Sequence, residues 1–239
     1  MERAKRYACY SGTRNLYGYM VGAAKSLVDH TDVDRIFFLI EDEEFPERLP
    51  NFVETINVSK QTLFPPDGPN MTSFFTYMAM IRAALCHVLP SYVGRVLCLD
   101  VDTIVRKDIS ELWDLSLDGF YLAAALEPAR SKHDKIDYIN AGIVMYNLDA
   151  LRDGKADEVI EDLNTNHRQW VEQDAFSYLC QGQIRELPSI YNGCKFVKPF
   201  EDEIKITHFA GFHPWTHFAE VKHYQEVTWN DVLKSHTGF

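Results

Sequence analysis

Short apolar runs of strand length alternate along most of this chain with longer segments whose apolar residues recur every three to four positions. That alternation is what most restricts the fold, because it is the signature of strands joined through covering helices. Residues 6–11 read as a first strand. Tyr17, Met20, Val21, Ala24, Leu27 and Val28 then form one apolar stripe at helical spacing, suited to packing on a sheet. The run 35–40 is nearly all apolar, as a strand covered on both faces must be. Further strands are expected at 53–58, 95–99, 121–126 and 141–148, and helices at 73–89, 109–113, 155–163 and 169–179. Between them, 60–69 contains Pro65, Pro66 and Pro69 and reads as a loop. After Gly193 the period fades, so 194–239 is expected to be an extension wrapping a single domain that spans 1–239.

Charge and length narrow the function classes. Among 239 residues, 35 acidic and 24 basic side chains leave a net charge of −11. Affinity for a phosphate backbone needs a surplus of Lys and Arg, so a nucleic-acid partner is excluded. The uncharged stretches, such as 36–40 and 119–126, fall far short of the roughly 20 apolar residues of a spanning helix. Met1–Arg6 is basic but precedes no apolar signal core, and the expectation is a cytoplasmic protein. Without a secretory signal the acceptor-like triplets at Asn57 and Asn70 carry little weight. Cys9, Cys86, Cys98, Cys180 and Cys194 are odd in number and scattered, which indicates neither a disulfide framework nor a zinc cluster.

Four segments bear chemistry. The strand 95–99 runs into Asp100-Val101-Asp102, and in extended backbone the two aspartates point to one side. Paired carboxylates repel, and a hard divalent cation such as Mg²⁺ or Mn²⁺ relieves them; the bland alternative is a polar turn. Ligands of open α/β sheets bind at this C-terminal edge. A second segment carries His208 before Gly211, His213, Pro214 and Trp215, an unusual turn, although a lone histidine is more often simply hydrogen-bonded in a core. The third is Asn140-Ala141-Gly142, a turn, or a polar side chain facing ligand hydroxyls, just before a buried strand. The fourth is Glu172-Gln173-Asp174, acids that open a helix at its positive end.

Together, in this order and at these separations, the four segments resemble glycosyltransferase family 8, over about 7–215. The resemblance implies a GT-A fold, a Rossmann-like nucleotide-diphospho-sugar transferase domain with a mixed, mainly parallel central sheet. It implies a retaining transfer of a hexose, galactose or glucose, from a UDP-sugar to a saccharide, a glycolipid or another hydroxyl acceptor. By that likeness Asp100, Asp102 and His208 would hold Mn²⁺ (or Mg²⁺), and the 100–102 triplet, Val101 included, would meet the donor. Asn140 and Glu127 would contact the donor sugar, with Gln173 and Asp174 on its β-face, where Glu172 replaces the first acid of the family's Asp-Gln-Asp element. Arg82 looks like the arginine of the family's Tyr-x-Arg helix, which contacts donor oxygens. Tyr10, Asn15 and Tyr17 would lie near the uridine.

Two features depart from the family pattern. The closing motif usually reads His-x-x-Gly-x-x-Lys-Pro-Trp, its lysine on the diphosphate. Here Gly211 and His213 would serve the donor, with one residue missing and the lysine replaced by His213. The chain also ends soon after Trp215 without the long basic, aromatic tail by which some members attach to membranes, so peripheral membrane contact rests on the resemblance alone. Three rival readings are weighed on sequence grounds. One is a haloacid-dehalogenase-type phosphatase, whose Asp-x-Asp lies near its N-terminus, whereas 99 residues precede Asp100 here. Another is a sugar-nucleotide pyrophosphorylase, which opens with a glycine-rich loop that Gly12-Thr13-Arg14 is too poor in glycine to match. The third is a GT-A-like protein that binds nucleotide sugar without turnover, which the missing lysine keeps open. Acceptors are expected against the loops 60–69 and 132–137, as loops on a rigid scaffold commonly carry recognition.

Overall fold

The computed structural model describes residues 3–72, 75–194, 196–197 and 203–210. Seven strands form one sheet: β1 (Tyr7–Ser11), β2 (Arg35–Ile40), β3 (Val53–Asn57), β4 (Arg95–Leu99), β6 (Leu122–Leu126), β7 (Ile139–Asn147) and β8 (Ile184–Glu186). Their order is β3-β2-β1-β4-β7-β6-β8, and β5 (Thr103–Val105) pairs with β9 (Ile206–His208) in a small second sheet. β1, β2, β3 and β4 run parallel, β7 is antiparallel to both β4 and β6, and β8 is parallel to β6. The sheet is thus mixed and mainly parallel, as the sequence pattern anticipates.

Strand alternation splits the core into two faces. Cys9, Phe37, Leu39, Cys98 and Val144 pack against Leu85, Val159 and Phe176 on one side. Ala8, Tyr10, Phe38, Leu97 and Leu99 pack against Met20, Ala24, Leu27 and Trp113 on the other. The helix Tyr17–Val28 follows the predicted stripe, and the helices Ala156–Thr165 and Val171–Leu179 lie close to their expected spans. The expected helix 73–89 is instead three short turns, Tyr77–Met80, the 3₁₀ turn Ile81–Ala84 and Leu85–Val88. Met78, Met80, Ile81, Ala83, Ala84 and Leu85 are all buried there. A segment covered on every side carries no single stripe to hold it to one regular helix. The expected loop 132–137 begins inside the helix Pro128–Asp134.

The antiparallel β7 decides where chemistry gathers. Because β4 and β6 both run opposite to it, their C-terminal ends, leading to Asp100 and Glu127, meet the N-terminal end of β7, where Asn140 lies. Asn140 therefore sits inside the strand, not in a turn ahead of it. The β5–β9 pairing sets Thr103 opposite His208 and brings that histidine to the same edge. Of the expected extension, Cys194, residues 196–197 and residues 203–210 are described, and the last of these supply β9. Among the described residues, no helix is long and apolar enough to cross a membrane.

Candidate active site

At this shared edge the side chains of Asp100, Asp102 and His208 converge. His208 Nε2 lies 3.5 Å from Asp100 Oδ2 and 3.4 Å from Asp102 Oδ1. One ligand atom from each residue falls within 4.8 Å of the others. Two hard oxygens and one imidazole nitrogen form a donor set suited to Mn²⁺ or Mg²⁺. Burial opposes charge on His208, but Asp102 and Asp100 outweigh it and raise its pKa well above the ordinary value. For Asp100 burial favours the neutral acid, and Arg82 and His208 overcome it to hold the carboxyl below its usual range.

Arg82 comes from the short 3₁₀ turn and is almost fully buried. Its Nη1 donates to Asp100 Oδ1 at 2.6 Å and to the Ala141 carbonyl at 2.8 Å, while Nη2 pairs with Glu172 Oε1. The other Glu172 oxygen, Oε2, is buried without a hydrogen-bond partner. Asn140 Nδ2 donates to Glu127 Oε1 at 2.7 Å, so these two residues act as one unit. Burial raises the Glu127 carboxyl above its ordinary value, against the lowering effect of that bond.

Two connected hollows share Ala79, Arg82, Asp100 and Asp102. One, of about 450 Å³, is lined by Glu127, Asn140, Gly142, Glu172, Gln173 and His208, with Phe75, Arg130, Trp170 and Phe196 also on its walls. The second is bounded by Ser11, Gly12, Thr13 and Asn15, which follow β1, and by Val101. Each is of the size that small-molecule sites occupy.

Not every sequence-derived residue reaches these walls. Tyr10 is fully buried among Ala8, Phe38 and Leu97, its hydroxyl without a partner, because alternation along β1 turns it to the opposite face from Cys9 and Ser11. Tyr17 is also buried, and its hydroxyl donates to Asp42 at 2.9 Å and accepts from the Glu41 amide at 2.9 Å. Of the three side chains expected at the uridine, only Asn15 lines the groove. Asp174 points into the core, where it accepts from the Tyr138 hydroxyl and, at 3.1 Å, from the Trp170 amide. Glu172 and Gln173 face the cleft in its place. Gly211 and His213 lie outside the described residues. Sequence reasoning passed over Asn192, which is fully buried and bonded to both Asn140 and His208.

Comparison with known proteins shows the family and the fold. The family model "Glycosyl transferase family 8" matches residues 8–219. A lipopolysaccharide 1,2-glucosyltransferase of Escherichia coli K12 is 22% identical over 257 residues, covering 92% of this chain and 76% of its own length. Glycosyltransferase GlyB of Streptococcus pneumoniae serotype 4 is 23% identical over 225 residues, 91% of this chain and 49% of that protein, so the chain spans about half the length of that relative. Among solved structures, galactosyltransferase LgtC in complex with donor and acceptor sugar analogues superposes with a TM-score of 0.70 at 18% identity, covering 96% of this chain and 95% of the other. The pneumococcal glycosyltransferase GlyE superposes at 0.72 with 21% identity, over 98% of this chain and 63% of that one. The fold is GT-A, the phosphatase and pyrophosphorylase readings give way, and the chain belongs to glycosyl transferase family 8.

Proposed function

We propose that this glycosyltransferase moves a hexose, galactose or glucose, from a UDP-sugar to a hydroxyl of a saccharide or glycolipid, with a divalent ion and with retention of configuration. The observation that supports this most is the convergence of Asp100, Asp102 and His208 where the two hollows meet. The uridine fits the groove beside Thr13, Asn15 and Val101, and the sugar fits the cleft beside Asn140, Glu127 and Glu172. When bound, Mn²⁺ or Mg²⁺ would neutralise charge on the departing diphosphate.

The chain's own residues do the rest. Arg82 supplies a fixed positive charge next to Asp100 without reorganising, because Ala141 and Glu172 already hold it. Glu172 is nearly fully buried, one oxygen paired with Arg82 and the other without a partner, so it serves to hold Arg82 and presents no exposed carboxylate to the anomeric carbon. The Trp170 ring, 43% exposed and edge-to-face with Phe75 at 6.3 Å, offers an apolar wall for the acceptor.

Retention requires either a covalent intermediate on the β-face or attack from the face that UDP leaves. Gln173 has no carboxylate, and its amide is engaged: Oε1 accepts from the Ala141 N–H at 2.9 Å and Nε2 lies 3.3 Å from the Tyr138 hydroxyl. Asp174 is turned into the core. These contacts favour same-face attack. The acceptor oxygen bonds to the anomeric carbon as its bond to UDP breaks, and the acceptor's proton passes to a β-phosphate oxygen of UDP. Proton NMR of the product from UDP-galactose or UDP-glucose should show an α linkage. A β-linked product, or a glycosyl ester trapped on Glu172 or Asp174 and seen by intact-mass spectrometry, overturns this route.

A further inference from the structure

A histidine binds a metal well only when one ring nitrogen is bare and aimed, and the group bonded to the other nitrogen decides which. His208 Nδ1 lies 3.0 Å from Asn192 Oδ1. An amide oxygen can only accept, so that bond requires hydrogen on Nδ1 and commits Nε2 to face Asp100 and Asp102.

The orientation of the Asn192 amide is fixed by the backbone. The Gly142 N–H donates to Asn140 Oδ1 at 3.2 Å, which identifies that atom as an oxygen. Asn192 Nδ2 donates to the same oxygen at 2.8 Å, so the remaining end of the Asn192 side chain, toward His208, is also an oxygen. At the far end Asn140 Nδ2 donates to Glu127. The run from His208 through Asn192 and Asn140 to Glu127 therefore has one direction, and Asn192 at its centre is fully buried. Backbone bonds hold its segment against β9, with Gly193 N donating to Ile206 O at 2.9 Å and His208 N to Gly193 O at 3.1 Å.

We propose that Asn192 is a positioning residue of the metal site, holding His208 by its Nδ1 hydrogen so that Nε2 faces the ion. This rests on the reading that Asp100, Asp102 and His208 hold that ion. The same run carries the restraint to Asn140 and Glu127, so the ion and the donor sugar are aligned by one set of bonds.

The test is Mn²⁺ affinity of the full chain with UDP present, read from the electron paramagnetic resonance of free Mn²⁺. Asn192→Leu should weaken Mn²⁺ binding by roughly 10- to 100-fold, the usual cost of losing such an outer partner. Asn192→Asp keeps an acceptor for Nδ1–H but sets its second oxygen against Asn140 Oδ1, so it should bind Mn²⁺ more tightly than the Leu variant and more weakly than the wild type. In a His208→Ala background Asn192→Leu should cost nothing further, whereas a merely structural role would cost the same in both backgrounds. Should Asn192→Leu fail to fold, Asn192→Ser, whose hydroxyl is too short to reach the ring, carries the same expectation. Wild-type affinity in the Leu or Ser variant, or an equal loss without His208, overturns the proposal while leaving the metal site standing. Wild-type affinity in His208→Ala itself removes the metal assignment and this proposal together.

Discussion

A hydrogen atom in place of a side chain at position 142 is what admits the ring of His208 to the sheet edge. A Cβ built on Gly142 would overlap the Cε1 and Nδ1 atoms of that ring. The glycine of Asn140-Ala141-Gly142 is thus explained by a close approach and not by a turn. Gly142→Ala should leave the fold intact yet displace His208. Mn²⁺ should then no longer raise the melting temperature of the UDP-bound protein, as differential scanning fluorimetry will show; an undiminished Mn²⁺ effect contradicts the packing argument. Glu127 gives a second prediction at this scale. Its carboxyl binds a proton more tightly in the fold than in the unfolded chain, so its charged form costs stability as pH rises from about 4.3 toward the higher folded value. Glu127→Gln, neutral throughout, should gain on the wild type in urea unfolding at pH 7 relative to pH 4, while losing transfer activity. An equal stability difference at both pH values contradicts the assigned shift.

Between elements, Arg82 ties three pieces of chain at one point: the 3₁₀ turn that carries it, β7 through the Ala141 carbonyl, and the helix Val171–Leu179 through Glu172. Its loss strands the Glu172 carboxylate in the core, where removing one partner of a buried pair costs about 3–5 kcal/mol. Arg82→Met should destabilise the protein by about that much in urea, and adding Glu172→Gln should recover a large part. Two single-variant costs that simply add would mean that the pair does not act as a unit. This junction marks the limit of what the sequence discloses about elements. Apolar spacing located 73–89 as helical, but nothing in it shows that Arg82 is buried, because an arginine on an amphipathic helix ordinarily faces water. Strand alternation, applied strictly, would have separated Ser11, on the groove, from Tyr10 in the core. Asn192, by contrast, gives no local signal: Tyr191-Asn192-Gly193 has the composition of an ordinary turn, and its partners lie 52 and 16 residues away.

Across the whole molecule, the meeting of the candidate site's residues follows from one topological choice, the reversal of β7 beside β4. A sheet parallel throughout would carry the start of β7 to the far edge, and Asn140 would never meet Asp100 or Glu127. The Asp-x-Asp triplet was legible because it is local, and His208 because it stands in a recognisable motif; their meeting needed the β5–β9 pairing, which joins residues about a hundred positions apart. The account's central claim, metal-dependent use of a UDP-sugar at this edge, is tested most directly by nucleotide release from a panel of UDP-, GDP- and ADP-hexoses, with Mn²⁺ or with chelator. UDP should be released from UDP-galactose or UDP-glucose only with the metal, the GDP and ADP sugars should be inert, and Asp102→Asn should lower the rate by roughly 100-fold or more, as the loss of about 3 kcal/mol of transition-state stabilisation does. Turnover that survives chelation, or an Asp102→Asn enzyme as fast as the wild type, would contradict it.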